Sequence, residues 1–438
     1  MKTAIIWLSI VVFSAAPLLA QQTDSPSSQG SPADVAAMQQ QIRDLQDRII
    51  SLEGQMRMLK SAQPAAPVPP ESTPPPAAPA APQVPVAAVT PGAEQSPTLG
   101  GAGGSAAKAL NPDISVIGDF IGATGTGTVP ALAQQQPFPS MQMHESEIGL
   151  QAIIDPYARG DFFISFGEEG VNLEEGYITF TALPKSLVVK VGKMRSAFGK
   201  VNMMHNHVLP WVDRPLATTN LVGGEDGIDD AGVSIQRIIP APKGLFLEAT
   251  GQLFRGDSGD GPQSVFKSWQ RSDVSTVAHL RSYKDITEST NLDIGLSYAR
   301  GYNDAGPKFI TNLYGVDATV RWKPLRRSIY HSFVGRSELF WSQRQQFPVE
   351  QRAFGFYTSA DYQLGRRWFL GGRFDRSARS QFANLNDQGG SAVLTYWPSE
   401  FSQIRGQYRY TSYAENRSAS ELLLQLIFSL GAHGAHPF

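Results

Sequence analysis

From Asn111 to the C-terminus, apolar and polar residues alternate in segments of about ten residues bounded by turn-forming residues. A period of two marks a strand with two unlike faces, whereas a one-sided helix spaces its apolar residues three and four apart. "NLDIGLSYAR" sets Leu292, Ile294, Leu296 and Tyr298 against Asp293 and Ser297. "YGVDATVRW" sets Val316, Ala318, Val320 and Trp322 against Asp317, Thr319 and Arg321. "SQIRGQYRY" sets Ile404, Tyr408 and Tyr410 against Gln403, Arg405, Gln407 and Arg409. The closing run "SELLLQLIFSL" sets Leu422, Leu424, Leu426, Phe428 and Leu430 against Gln425 and Ser429. Sixteen such strands are predicted, centred near residues 117, 150, 163, 178, 190, 234, 249, 279, 294, 318, 335, 357, 371, 393, 407 and 426.

Every second connection is short and turn-like: "DPYARG", "LPKS", "PAPKG", "KDITES", "KPLRRS", "LGRR" and "WPSE". The others are mostly longer and polar: residues 124–144, 196–229, 255–273, 301–311, 343–350, 377–388 and 413–419. An even number of antiparallel strands with one short rim and one long rim is the plan of an outer-membrane barrel. A soluble β-sandwich also alternates, but it has no reason to keep one rim short or to gather Tyr, Trp and Phe near strand ends. The predicted fold class is therefore all-β, a 16-stranded antiparallel transmembrane β-barrel over residues 111–438. Outer-membrane lipid is its expected surroundings.

The pattern before the barrel differs. Residues 33–60 carry an unbroken three-four seam of Val35, Met38, Ile42, Leu45, Ile49, Leu52, Met56 and Leu59, which predicts a coiled-coil oligomerisation helix. Its four heptads span only about 40 Å at about 1.5 Å per residue. Ile at a with Leu at d favours dimers in isolation, Met38 and Met56 weaken that rule, and a linked domain with its own symmetry can override it. Residues 61–109 are rich in Pro, Ala and Gly, the composition of an extended spacer. Residues 1–20 read as a signal peptide, with Lys2 before the apolar run "AIIWLSIVVF" and small residues leading to Ala20. That run is shorter than the roughly 20 residues a spanning helix needs. The N-terminal region is accordingly expected on the periplasmic side.

Composition narrows the functional classes. The chain has no cysteine, which excludes disulfides, thiolate metal sites and cysteine nucleophiles. A net charge of −2 excludes a broadly basic nucleic-acid binder. The few histidines stand in no recognisable nucleophile motif, so no enzyme and no cofactor are expected.

In the predicted register the inward face carries Asp119, Glu147, Gln151, Asp161, Lys190, Glu248, Gln252, His279, Arg281, Asp293, Asp317, Arg321, Arg336, Glu338, Arg373, Asp375, Arg405 and Arg409. An Arg or Lys facing lipid at the midplane costs about 2–4 kcal/mol, so these charges call for a wet lumen. Lys190, Arg281, Arg321, Arg336, Arg373, Arg405 and Arg409 are the candidate pore-lining cations. Guanidinium forks suit carboxylate and phosphate oxyanions. Pairing with wall carboxylates such as Glu338 and Asp375, leaving a transverse field without strong selectivity, is the competing reading.

The segment "RSAFGKVNMMHNHVLPWVDRPLATTNLVGGEDGIDD" is the candidate constriction loop, bringing Lys200, His205, His207, Trp211, Asp213 and Arg214 into the lumen. His205 and His207, next to Met203 and Met204, suit a soft or borderline metal. Loop packing accounts for the same pair.

"VVKVGKMRSAFGKVN" at 188–202 and "NPDISVIGDF" at 111–120, together with the strand plan, resemble the phosphate-selective porin O and P family. The resemblance implies a homotrimer of 16-stranded barrels that takes up phosphate or polyphosphate through lumenal arginines and a dense lysine cluster. Arginines are plentiful here, whereas lysines are sparse after Lys200. The heptad helix is similar to N-terminal extensions of other envelope porins, which implies trimerisation and reach towards the cell wall. The expected function is a water-filled channel for passive or mildly selective diffusion of small polar or anionic solutes, phosphate among them. A structural tether with the coiled coil as periplasmic arm, and a metal-ion uptake channel, are the alternatives.

The chain ends in an aromatic residue, Phe438, after "GAHGAHP", with His433 and His436 three apart. A terminal aromatic in such a barrel is expected to address the barrel-assembly machinery. Deleting Phe438 should lower the yield of folded, heat-modifiable barrel in the membrane more than it changes the conductance of barrels that do form; equal yields would remove the assembly role.

Overall fold

A computed structural model of the chain describes residues 112–135, 137–167, 170–258 and 264–431. The predicted signal peptide, heptad helix and linker, and the stretch containing His433, His436 and Phe438, lie outside the described residues.

Sixteen strands close into one antiparallel barrel. The first four are β1 (Asp113–Gly127), β2 (Met141–Asp155), β3 (Ala158–Gly167) and β4 (Gly170–Leu183). Next come β5 (Leu187–Arg195), β6 (Asp229–Ile239), β7 (Leu245–Phe254) and β8 (Ser275–Thr287). The third quarter is β9 (Thr290–Asn303), β10 (Gly306–Trp322), β11 (Phe333–Arg344) and β12 (Gln351–Gly365). The last is β13 (Trp368–Arg379), β14 (Phe382–Ser399), β15 (Ser402–Tyr413) and β16 (Arg417–Gly431). Each strand pairs with its chain neighbours, and β1 pairs with β16 from Ser115 opposite Gly431 to Gly127 opposite Ala419. Every strand centre predicted from alternation falls inside one of these strands.

The two faces differ as the pattern requires. On β9, Ile294 and Leu296 point out while Asp293 and Ser297 are buried inside. On β16, Leu422, Leu424, Leu426, Phe428 and Leu430 are exposed, and Gln425 and Ser429 face inward. Leu423 and Ile427 also face inward and are fully covered, so this strand does not keep a purely polar lumenal face. Aromatic pairs mark both edges of the apolar belt. Trp368 stacks on Tyr396 at 4.4 Å near the short-turn rim. Nearer the other rim, Tyr298 meets Tyr314 at 5.3 Å and Trp341 meets Phe354 at 5.2 Å. On β10 the outward Tyr314 and Trp322 are separated by about 20 Å along the barrel axis, given a rise of about 3.3 Å per residue and a tilt of about 40°. That matches the apolar band of a membrane barrel.

The connections depart from expectation in places. Residues 301–311, 377–388 and 413–419, expected as loops, are largely the ends of hairpins. β9 continues to Asn303 and β10 resumes at Gly306, and likewise β13 to Arg379 and β14 from Phe382. Beyond the bilayer both faces of a strand meet water, so polar residues on both sides hide the alternation while the backbone ladder continues. On the opposite rim, "KPLRRS" belongs to a longer connection, residues 323–332, folded into turns in which Tyr330 N–H donates to the Arg327 carbonyl at 2.9 Å.

Connections also turn inward, among them the one between β1 and β2, whose Gln135 reaches Asp213. Residues 196–228, between β5 and β6, fold into the lumen through short helical turns at Val201–Met203, Asn206–Val208, Leu216–Thr218 and Thr219–Gly223. Val265 and Phe266, from the connection between β7 and β8, are buried in the same apolar cluster as Phe198, Leu221, Val222 and Phe340.

An outward charge at mid-belt tests this assignment. Leu296→Arg should destabilise the folded barrel by about 2–4 kcal/mol in urea titrations in lipid vesicles. Wild-type stability for that variant would show that Leu296 does not face lipid.

Candidate functional site: a braced lumen and its constriction

The inward loop is held by the wall along its whole length. At its start, Ala197 N–H donates to Gln252 Oε1 at 2.7 Å and Gly199 N–H to Ser297 Oγ at 3.0 Å. The next two amides, of Lys200 and Val201, converge on the Glu338 carboxylate at 3.1 and 3.0 Å. Gly199 is required here: its φ is +65°, and a Cβ would collide with Glu338 Oε2. Tyr357 Oη donates to Glu338 at 2.8 Å, and Lys200 Nζ reaches Asp293 at 2.7 Å.

In the middle, Trp211 is completely buried, edge-on to Tyr357 and under the Arg373 guanidinium at 4.9 Å. Asp213 then accepts from Arg373 and Arg409, both at 2.9 Å, from Gln135 at 2.7 Å and from Gln407 at 2.5 Å. Burial alone would raise the Asp213 carboxyl, but Arg373 and Arg409 hold it well below the ordinary range. Arg405 donates to the Trp211 carbonyl at 3.1 Å and to Gln425 at 2.8 Å. At the far end, Leu216 N–H donates to Asp375 at 3.1 Å and Asn220 to Asp387 at 3.3 Å. Arg214 turns back on its own loop, donating to the carbonyls of Val201 and Met204 at 2.9 and 2.7 Å.

These contacts divide the expected pore cations into two sets. Arg373, Arg405 and Arg409 form the socket that receives the loop. Arg336 pairs with Asp361 at 2.5 Å. Arg281 pairs with Asp293 at 2.8 Å, and Arg321 lies 3.8 Å from the same carboxylate. Lys190 lies over the Tyr177 ring at 4.3 Å.

Two cavities flank the loop. One, of about 360 Å³, is lined by the cations Lys190, Arg195, Lys200, Arg281 and Arg321 and by the acids Glu147, Glu175 and Glu248. It is bounded by the loop and by β1–β8 and β10, and its wall includes His205 and His207. The other, of about 660 Å³, lies towards the opposite rim and is lined by Glu145, Glu174, Asp213, Arg214, Glu225 and Arg409, among others. Trp211, Arg336, Arg373 and Arg405 line neither of these two.

A cluster of acids and imidazoles sits between them. His205 Nδ1 lies 2.6 Å from Glu147 and 3.1 Å from Glu174, while Nε2 lies 2.9 Å from Glu175. Arg195 reaches Glu174 at 3.0 Å. Asn206 donates to Glu145 and Glu225, both at 3.1 Å. Burial alone would lower the His205 imidazole, but Glu147, Glu174 and Glu175 raise it well above its ordinary value.

Alternation reveals only part of this cluster, because two β-bulges add Glu174 and His144 to its inward side. The register between β3 and β4 passes from Phe163 opposite Glu175 to Ile164 opposite Leu173, which leaves Glu174 as an extra residue. Between β1 and β2 it passes from Asp119 opposite Glu145 to Phe120 opposite Met143, which leaves His144 extra. A bulge turns consecutive residues to one face. The paired acids at 174 and 175, and the His-Glu pair at 144 and 145, are the signal that alternation discards.

No family model matches the chain. An uncharacterized protein of Aquifex aeolicus is 27% identical over 384 residues, covering 76% of this chain and 81% of that one. Among solved structures, the outer membrane channel DcaP of Acinetobacter baumannii aligns over 73% of this chain and 96% of its own, with 11% identity and a TM-score of 0.48. OmpF of Salmonella typhi aligns over 73% and 98%, with 9% identity and a TM-score of 0.49. This likeness to porins is one of barrel architecture.

The Asp213 socket is testable. Asp213→Asn leaves two buried guanidiniums without their shared counter-charge, a loss of about 3–5 kcal/mol in loop anchoring. The variant should keep its barrel but show protease cleavage within residues 196–228; resistance equal to wild type would show that Asp213 does not hold the loop.

Proposed function

We propose that the chain forms a water-filled outer-membrane channel for passive, weakly selective diffusion of small polar and anionic solutes. The carrying observation is the pair of cavities, each lined in part by charged side chains, on either side of the inward loop, within a closed barrel whose outer face is apolar. Charged lining would have no reason to face inward unless water reached it. The β-strand closure leaves no other route for a polar solute through the hydrocarbon.

The lining supports an ordering of solutes by charge distribution more than by net charge. In the smaller cavity Lys190, Arg281 and Arg321 come from β5, β8 and β10, while Glu147 and Glu175 come from β2 and β4. A transverse field of this kind aligns dipolar solutes and gives anions a cationic wall to follow. Because most of the arginines are engaged by carboxylates or by the loop, the anion preference is mild, and phosphate is one admissible solute among several. The heptad seam of residues 33–60 supports assembly as an oligomer, with three copies as the reading that the family resemblance favours.

Single-channel recording in planar bilayers tests the proposal. The purified chain should give discrete conductance steps, with reversal potentials in asymmetric potassium chloride displaced modestly towards chloride. Arg321→Glu, at a partly exposed lumenal position, should shift the reversal potential towards potassium. Absence of steps from correctly folded protein would overturn the channel reading, and a strong cation preference in the wild type would remove its anionic part.

A further inference from the structure

The acid–imidazole cluster between the two cavities has the composition of a cation site. Glu147, His205 and His207 each offer a ligand atom within 4.8 Å of the others, and so do Glu145, Glu147 and Glu174. Glu147 belongs to both groups. Around His205 Nδ1 the separations are 2.6 Å to Glu147 and 3.1 Å to Glu174, and His207 Nδ1 stands 3.7 Å from Glu147. These values bracket the edge of about 3.3 Å expected for a tetrahedron with bonds of about 2.0–2.1 Å.

Three further observations point to a ligand. Glu145 is only 8% exposed, and its Oε1 has no hydrogen-bond donor, although the carboxylate is turned towards Glu147 and Glu174. Four carboxylates, of Glu145, Glu147, Glu174 and Glu175, gather here, and the Arg195 guanidinium reaches one of them, Glu174. Finally, the remote His205 nitrogen is already oriented: Nε2 lies 2.9 Å from Glu175, the carboxylate–histidine support usual behind a metal ligand.

We propose that Glu147, His205 and His207 bind a divalent transition metal of the zinc class, with Glu174 or Glu145 completing the site, and that occupancy restricts flow between the cavities. Two imidazoles with carboxylates favour borderline ions such as zinc or cobalt over magnesium and calcium. The metal takes His205 at Nδ1, while Nε2 stays held by Glu175. The site stands on its own geometry, and only its effect on flow rests on the channel reading.

The test uses untagged full-length protein folded in detergent, with cobalt(II) as probe, zinc as competitor and magnesium as control. One cobalt per chain should bind with the visible absorption of a tetrahedral ion, be displaced by zinc and ignore magnesium. His205→Gln with His207→Gln should abolish the band while heat-modifiable mobility shows the barrel still folded. Glu175→Gln should weaken binding by about 10–100-fold. A His433→Ala, His436→Ala variant should keep the band, which separates the lumenal site from the other histidine pair. No band in the wild type, or a band unchanged in the His205/His207 variant, overturns the site. Zinc should lower the wild-type conductance and leave that of the His205/His207 variant unchanged. Zinc-insensitive conductance in cobalt-binding protein overturns the flow restriction. A protein that binds cobalt but never conducts counts against the channel and leaves the site standing.

Discussion

Inside hydrocarbon no water is available to a backbone N–H or carbonyl, and each unpaired group costs several kcal/mol. The rest of this structure follows from that constraint. It forces the first strand onto the last, so that Ser115 to Gly127 find partners in β16 and no edge is left open. Closure then creates an inside, and the period of two decides what faces it. A sheet of the same strands left open would have to bury one face against another layer, and the charged side chains of β9 to β15 would have no place in such a core.

Once the inside exists, its charges must be satisfied. The lumen does so in pairs and networks more than through bulk water. Asp213 neutralises Arg373 and Arg409 together, Asp375 supports Arg373 at 2.7 Å, and Glu421 supports Arg409 at 2.9 Å. Buried ion pairs of this kind add little net stability compared with apolar packing, but they are intolerant of losing one member. They therefore act as specifiers of loop position. The apolar residues of the same loop, Phe198, Leu221, Val222 and Ile228, supply the burial that makes its inward position favourable.

Sequence alone carries the barrel well and its interior only partly. Strand number and facing follow from side-chain period, because lipid on one side and polar lumen on the other select residues position by position. Hairpin ends such as Asn303–Gly306 escape that reading, since water on both faces removes the selection. The site is harder for two reasons. Glu174 and His144 lie where a bulge breaks the count, and no local pattern announces that break. The pairing of Asp213 with Arg373 and Arg409 joins residues about 160 and 196 positions apart, which only the closed fold brings together. The prominence of lumenal arginine is legible in the sequence; whether a given guanidinium meets solute or a carboxylate is not.

The inward loop also has a mechanical consequence. It leaves the wall between β5 and β6 and is held by side chains of β12–β15, on the opposite arc of a sixteen-membered ring. A cylinder one sheet thick resists stretching along its hydrogen bonds far better than it resists being squeezed into an ellipse. A strut across the diameter removes that soft mode. The cross-section of this barrel is thus set by a span of its own chain, and lateral pressure from the bilayer acts on a braced ring.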